Sequence, residues 1–145
     1  MGSNERIDDT DRKIIEILSE NARISLREIK KSVKLSPSSI KNRMENLVNS
    51  GVIKRYTVEL DHRQMGLEIQ VLVLITVRPG TSDRLSSTLE GYKQVHEILR
   101  ISGPASFILT VRVKDINELT HFITGELEKL DGIERIETMF ILPSN

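Results

Sequence analysis

Cysteine is absent from the 145 residues. That excludes disulfide staples, a thiolate nucleophile and any cysteine-ligated zinc site. Tryptophan is absent too, and two tyrosines and three phenylalanines are the whole aromatic content. Binding single-stranded RNA by stacking bases on a sheet needs aromatics on the central strands, and only Phe107 and Phe140 fall in expected strands. No long apolar run exists. The longest, Ile69 to Val77, is broken by Gln70 and Thr76 and is far short of the ~20 residues that span a bilayer. The first residues, Met1 to Arg6, lack the apolar core of a signal peptide, and Arg6 stands where a myristoylation motif takes Ser or Thr. The expectation is a cytoplasmic, nucleoid-associated protein with no membrane partner. His62, His96 and His121 are scattered without metal-ligand spacing. There is no glycine-rich phosphate loop and no nucleophile elbow. An enzyme is therefore not expected, and neither catalytic residues, a metal nor a cofactor is assigned.

Net charge is also missing: 21 Lys and Arg balance 21 Asp and Glu. The balance is not local. Residues 1–60 hold 12 basic against 9 acidic residues, and residues 61–145 hold 9 against 12. Between Arg23 and Arg55 nine basic residues face only Glu28 and Glu45, a net of +7. A basic patch on a neutral chain is the electrostatic footprint of a module that meets phosphates. Hydrophobic residues make up 38%, enough to build a core.

Three short helices are expected in the basic half. Residues 9–21 read as the first, capped by Asp9 or Thr10, with Ile14, Ile15 and Leu18 on one stripe. Ser25-Leu26-Arg27-Glu28 is a capping box opening a second helix that ends near Val33. After a tight turn at Lys34-Leu35, Ser36-Pro37 gives an N-cap and a proline at the first helical position. The third helix runs to about Asn49, with Ile40, Met44, Leu47 and Val48 expected inward. This succession is the pattern of a helix-turn-helix.

The outward side of the third helix carries Ser38, Asn42, Glu45 and Asn49, flanked by Ser39 and Lys41. Small hydroxyl residues let a helix end approach closely, and free amides there take a phosphate. Lys41 and Arg43 suit phosphate or guanine, and Asn42 suits adenine. Ser36, Ser38, Ser39, Lys41, Asn42 and Arg43, with Lys54 and Arg55 in the following arm, are the candidate DNA contacts. Glu45 is expected nearer the rim.

The second half reads as a βαββαβ succession. The strands are 68–78, 95–101, 107–114 and 134–142. The helices are 82–92 and 116–130, the latter with Ile116, Leu119, Ile123, Leu127 and Leu130 on one face. That order is the ferredoxin-like split βαβ. The fold class expected is α+β: a three-helix, winged-type helix-turn-helix over residues 1–53, an extended arm and linker over 54–66, and a ferredoxin-like domain over 67–145. Ile69, Val71, Val73, Ile75 and Val77 lie on one face of the first strand. Leu72, Leu74, Ile98, Ile108, Met139 and Ile141 are expected on the other, an apolar face that calls for a partner.

Ile7-Asp8 through Gly51-Val52-Ile53, with Arg43-Met44-Glu45-Asn46-Leu47, Leu60-Asp61, Met65-Gly66 and Leu130-Asp131-Gly132-Ile133-Glu134-Arg135, resemble the leucine-responsive regulatory protein family (Lrp/AsnC, the feast/famine regulators) over nearly the whole chain. The resemblance implies a homodimer assembling into tetramers or octamers. It also implies binding to pseudo-palindromic operators in double-stranded DNA and, in many members, an amino-acid or other small-molecule effector. The family's effector pocket lies between subunits at the turn joining the second and third strands, where an aspartate three positions after a glycine holds an ammonium group. Here Gly103, Pro104, Ala105 and Ser106 form that turn, and Thr138 fits the family pattern. Ser106 stands where the acid belongs, and a serine cannot neutralise an ammonium. The expectation is a protein without a free amino-acid effector, or with a different ligand. The competing reading is a ligand-sensing interaction module that does not itself touch DNA; RNA binding by the sheet ranks below it.

Overall fold

The structure, a computed structural model, describes residues 7–143. The chain divides into two compact units, Met1–Glu59 and Leu60–Asn145. The segment expected as arm and linker is thus split. Its first part groups with the helices, and the Asp61–Gly66 turn belongs to the sheet unit.

In the first unit, α1 spans Asp9–Glu20, α2 Leu26–Val33 and α3 Pro37–Asn49. The cap of α1 is Asp8, one residue before the expected position. Its carboxylate accepts from the Asp11 amide at 2.7 Å, and Asp11 accepts from the Asp8 amide at 3.2 Å. This closes a reciprocal box in which two orphan amides find partners. At α2 the expected box forms only on one side. Ser25 accepts from the Glu28 amide, but the Glu28 carboxylate turns to the Lys31 ammonium at 2.8 Å, a charge-assisted bond that outcompetes a neutral amide. Lys34 ends α2 with φ 54° and ψ 36°, the left-handed conformation that reverses the chain toward α3.

Ile14, Ile29 and Ile40 are fully buried and Leu18 nearly so, and Ile17, Leu26, Val33, Leu35, Met44 and Ile53 pack around them. Val48, expected inward, is 39% exposed. It lies about 100° around α3 from buried Leu47, outside the stripe that faces α1 and α2. Residues 54–60 beyond α3 form neither helix nor strand.

In the second unit an antiparallel sheet is ordered β2-β3-β1-β4. Its strands are β1 (Ile69–Val77), β2 (Val95–Arg100), β3 (Phe107–Val113) and β4 (Ile133–Phe140). The β1 alternation places Val71, Val73, Ile75 and Val77 in the core with Phe107, Leu109, Val111 and Val113 of β3. Leu85 and Leu89 of α4 (Ser82–Glu90) cover that face together with Leu119, Phe122 and Leu127.

Three sequence expectations fail here. A bulge between Val95 and Glu97 inserts one residue and reverses the faces of the rest of β2. Ile98 therefore packs on the core, and Leu99, 49% exposed, joins the open face opposite Ile108. Leu72, Leu74, Ile108, Met139 and Ile141 stand on that face as expected, half-buried or exposed. The last helix is α-helical only over Ile116–Thr120 (α5). A π-helical turn follows at His121–Glu126, then a 3-10 turn at Leu127–Lys129. The step from buried Phe122 to buried Leu127 is five residues, one turn of the wider i→i+5 winding; an α-helix would carry Leu127 off the core face. Ile116, expected inward, is 53% exposed. Phe122 meets Tyr92 edge to face at 5.3 Å, and burial, then the charge of Glu126, pushes the Tyr92 phenol up.

Candidate nucleic-acid interface

The start of α3 follows from three serines. Ser36 caps the helix, accepting from the Ser39 amide at 3.2 Å. Its hydroxyl also bonds that of Ser39 at 2.9 Å and that of Ser38 at 3.1 Å. Proline at the first helical position has no amide to satisfy. The result is a small, polar, pre-ordered helix tip. Ser36, Ser38, Lys41 and Asn42 are exposed and Ser39 is half-buried. Lys41 lies 3.9 Å from Glu45 with both side chains mostly in water, a pair that releases readily because exposed ion pairs are weak. Glu45 does sit farther along the helix, beside an apolar groove of about 430 Å³ formed with Met44, Val48 and Tyr56.

Arg43 is placed differently from the other candidates. Its guanidinium donates to Asp8 at 2.7 Å and to Asp11 at 2.8 Å, clamping α3 onto the capped start of α1. The Asp11 amide first, and the Arg43 guanidinium second, hold the Asp8 carboxyl below its usual range. Sequence reasoning read Arg43 as a nucleic-acid contact because it could not see that Asp8 and Asp11, more than 30 residues away, were waiting for it. Lys54 and Arg55 are exposed, but Arg55 lines a cleft with Arg23 at the end of α1. The structure brings the serines, Lys41 and Asn42 together on one tip, with Arg55 elsewhere on the unit.

The turn after β2 was the second candidate. Gly103 has φ 146°, within the range that favours glycine. Ala105 is buried. The Ser106 amide donates to the Ile75 carbonyl at 2.8 Å, the Ile101 amide donates to the Ser106 carbonyl, and the Ser106 hydroxyl accepts from the Val77 amide at 3.1 Å. Ser106 thus ties the turn to the end of β1. Pro104 is linked more weakly, its carbonyl 3.5 Å from the Thr76 hydroxyl. Thr138 is exposed on β4 and pairs with Val73. With β1 between β3 and β4, two strand spacings, ~10 Å, separate it from the turn.

This layout matches known proteins. Residues 70–144 match the Lrp/AsnC ligand binding domain, and residues 7–54 match a winged helix-turn-helix DNA-binding domain. The chain belongs to the Lrp/AsnC family. The HTH-type transcriptional regulator FL11 of Pyrococcus furiosus is 34% identical, over 94% of this chain and 89% of that protein. Among solved structures, E. coli AsnC superposes with a TM-score of 0.88 at 26% identity, covering 96% of this chain and 94% of that one. The transcriptional regulator NMB0573 of Neisseria meningitidis, solved as a complex with L-Met, has a TM-score of 0.88 at 25% identity, covering 95% and 91%. The expected family and α+β architecture are therefore right, and this Lrp/AsnC protein is a DNA-binding transcription regulator with a ligand-binding domain. Among the described residues no helix is long and apolar enough to cross a membrane.

Proposed function

We propose that this Lrp/AsnC chain regulates transcription as a homodimer or a higher oligomer that seats two copies of α3 in successive major grooves of a pseudo-palindromic operator. The observation that carries this reading is the α3 tip, where Ser38, Lys41 and Asn42 are exposed on a pre-ordered helix start. A helix end of this kind, in a dimer, reads half-sites about one turn of DNA apart. Asn42 is the base-reading residue, bidentate to adenine, and Lys41 takes guanine or phosphate. Ser36, Ser38 and Ser39 admit the backbone closely, and Lys54 and Arg55 hold phosphates. Arg43 is a positioning residue that sets the angle of α3 through Asp8 and Asp11.

Pairing is assigned to the open sheet face. Leu72, Leu74, Leu99, Ile108, Met139 and Ile141 form an apolar surface across all four strands, and leaving such a surface wet costs about 25 cal/mol per Å². The sheet unit tunes assembly, with a small ligand at the Gly103, Pro104, Ala105 and Ser106 turn completed by Thr138 of a second copy. One similar protein holds L-Met. Here no carboxylate stands at the turn, and the Ser106 hydroxyl is already engaged by Val77, so a free α-amino acid lacks its ammonium partner. The reading includes no catalytic step.

Selecting duplexes from random DNA and measuring affinity by fluorescence anisotropy tests the assignment. Six phosphate contacts, from Lys41, Lys54 and Arg55 in two copies, give a slope of log K against log salt on the order of −5. Asn42→Ala should cost about 1–3 kcal/mol and relax the preference at one base in each half-site. A salt-independent complex, or an Asn42→Ala protein with an unaltered selected motif, would refute the seating of α3.

A further inference from the structure

The basic window from Arg23 to Arg55 contains two acids, Glu28 and Glu45, and they are held differently. Glu28 is tied to the Lys31 ammonium at 2.8 Å. Glu45 stands 3.9 Å from Lys41, too far for a hydrogen bond, with its side chain 57% exposed. Helix stability gives little reason for an acid there. An exposed pair four residues apart contributes weakly, and least with the lysine on the N-terminal side, as here. What the acid does is subtract from the positive charge that draws this unit to any DNA.

At about 100° per residue, Ser38, Asn42, Glu45 and Asn49 fall within about 60° of one another. They lie on the side of α3 opposite buried Ile40 and Leu47. All four are exposed, and Glu45 is the one charged residue among them. The cations of α3 lie off this stripe: Lys41 is on its flank, and Arg43 is held by Asp8 and Asp11. Repulsion by phosphate alone would send Glu45 to the rim of an interface, but the winding of the helix keeps it beside Asn42. The three residues from Asn42 to Glu45 advance about 4.5 Å along the axis, one or two base steps of about 3.4 Å.

A carboxylate in the major groove has few acceptable neighbours. Guanine presents N7 and O6, thymine presents O4, and these acceptors repel it. Adenine sets its N6 amine beside the N7 acceptor. Cytosine presents its N4 amine with no acceptor beside it on its own edge. We propose that Glu45 is a specificity-determining residue, accepting from the N4 amine of one cytosine in each half-site and rejecting other bases there. With α3 seated as proposed above, on which this role depends, the cytosine stands one or two steps from the adenine read by Asn42. Discrimination comes from a difference of affinities: the carboxylate lowers binding to every sequence, and one base relieves the loss.

Selection from random duplexes with the full-length chain, its Glu45→Gln and Glu45→Ala variants, and Asn42→Ala as a reference tests this role. The unsubstituted protein should select a motif holding that cytosine. Replacing it by thymine in both half-sites should weaken binding at least tenfold in fluorescence anisotropy. Glu45→Gln should move the preference from cytosine to adenine, the base that glutamine pairs with. Glu45→Ala should erase the preference and raise affinity for unselected DNA severalfold at low salt, a gain that fades as salt screens the charge. Both variants should melt with the unsubstituted protein, because the side chain is exposed and its one ion pair is weak. A Glu45→Gln motif that keeps cytosine would overturn the role if Asn42→Ala still alters the motif. So would a Glu45→Ala gain shared equally by all sequences, which would leave the acid as a partner of Lys41 only. Unaltered motifs in all three variants would overturn the seating of α3 itself.

Discussion

The helical unit and the sheet unit solve the same problem with different means. The helical core is four buried residues, Ile14, Leu18, Ile29 and Ile40, with a half-buried shell. Much of its definition comes from polar devices: a reciprocal box at Asp8 and Asp11, serine caps at Ser25 and Ser36, and the Arg43 clamp. The sheet unit buries thirteen residues in one cluster, every one Val, Leu, Ile or Phe. It spends its polar groups at the periphery, in turns and exposed ion pairs such as Arg100 with Asp83. The contrast teaches where each unit is vulnerable. Removing a polar group should unsettle the first most, and removing carbon should cost the second most.

The largest expected effect tests that division from the sheet side. Phe122 is fully buried, closing the π turn against Tyr92, and Phe122→Ala should cost about 3–5 kcal/mol. Urea titration followed by amide spectra should show the sheet unit melting early while α1 to α3 keep their native signals. Loss of both units together would mean that they fold as one.

Next in size is the clamp. Arg43→Ala leaves Asp8 and Asp11 facing each other without their shared cation and should lower the melting temperature of the helical unit by several degrees. Because it also frees the angle of α3, DNA affinity should fall while the salt slope hardly changes. Lys41→Ala should do the opposite, leaving melting unchanged and reducing the slope by about 1 per copy. If Arg43→Ala reduced the slope and spared the melting temperature, Arg43 would be a phosphate contact after all. Combining Arg43→Ala with Asp8→Ala should add less than the single effects predict, as for groups in one network.

These cases show what was legible. The Ser25 and Ser36-Pro37 caps and the β1 alternation are local patterns, each carried by residues within a few positions, and they are read directly; the α1 cap falls one residue early, at Asp8. The Arg43 clamp joins residues 32 and 35 positions apart, so no local pattern announces it. The bulge in β2 and the π turn are failures of period. A single inserted residue moves Ile98 and Leu99 to opposite faces, and one five-residue step replaces the α-helical count from Phe122 to Leu127. Ser106 was picked out as an anomaly at a ligand turn, but only the fold reveals that its hydroxyl holds the Val77 amide.

A smaller effect separates the units by pH. Burial first, then Arg112 and His62, lowers the affinity of His96 for a proton, so the fold favours the neutral ring beside His62, whose centroid lies 5.2 Å away. The unfolded chain binds that proton more readily. Stability from this pair is therefore fully present above about 6.5, the ordinary histidine value, and is lost as pH falls through the lower folded value. Denaturation of the sheet unit at pH 7.5 and 5.5 should show the loss, and His96→Gln should flatten it. The Asp8 contribution to the helical unit follows a different window. Its depressed carboxyl adds stability above the usual carboxylate range, and that stability disappears as pH falls through the folded value. Between pH 5.5 and 7.5 the helical unit should not respond through Asp8.

The smallest effect concerns Lys34, the one described residue other than glycine with positive φ. A side chain there costs on the order of 1–2 kcal/mol, and glycine gives back part of that through its freedom in the unfolded chain. Lys34→Gly should thus stabilise the helical unit by about 0.5–1 kcal/mol. Such a gain means the present residue is kept at some cost to the turn. In a helix-turn-helix whose neighbours Lys30, Lys31 and Lys41 are also exposed, the return is positive charge close to α3. Stability and DNA affinity should therefore move in opposite directions in Lys34→Gly, with the affinity loss vanishing at high salt. Lys34→Asn separates the two terms, because asparagine tolerates the left-handed turn and carries no charge. Equal affinity losses in both variants would assign the cost to charge. A loss in Lys34→Gly alone would assign it to a loosened turn, and the helical unit would then depend on rigidity more than on its cations.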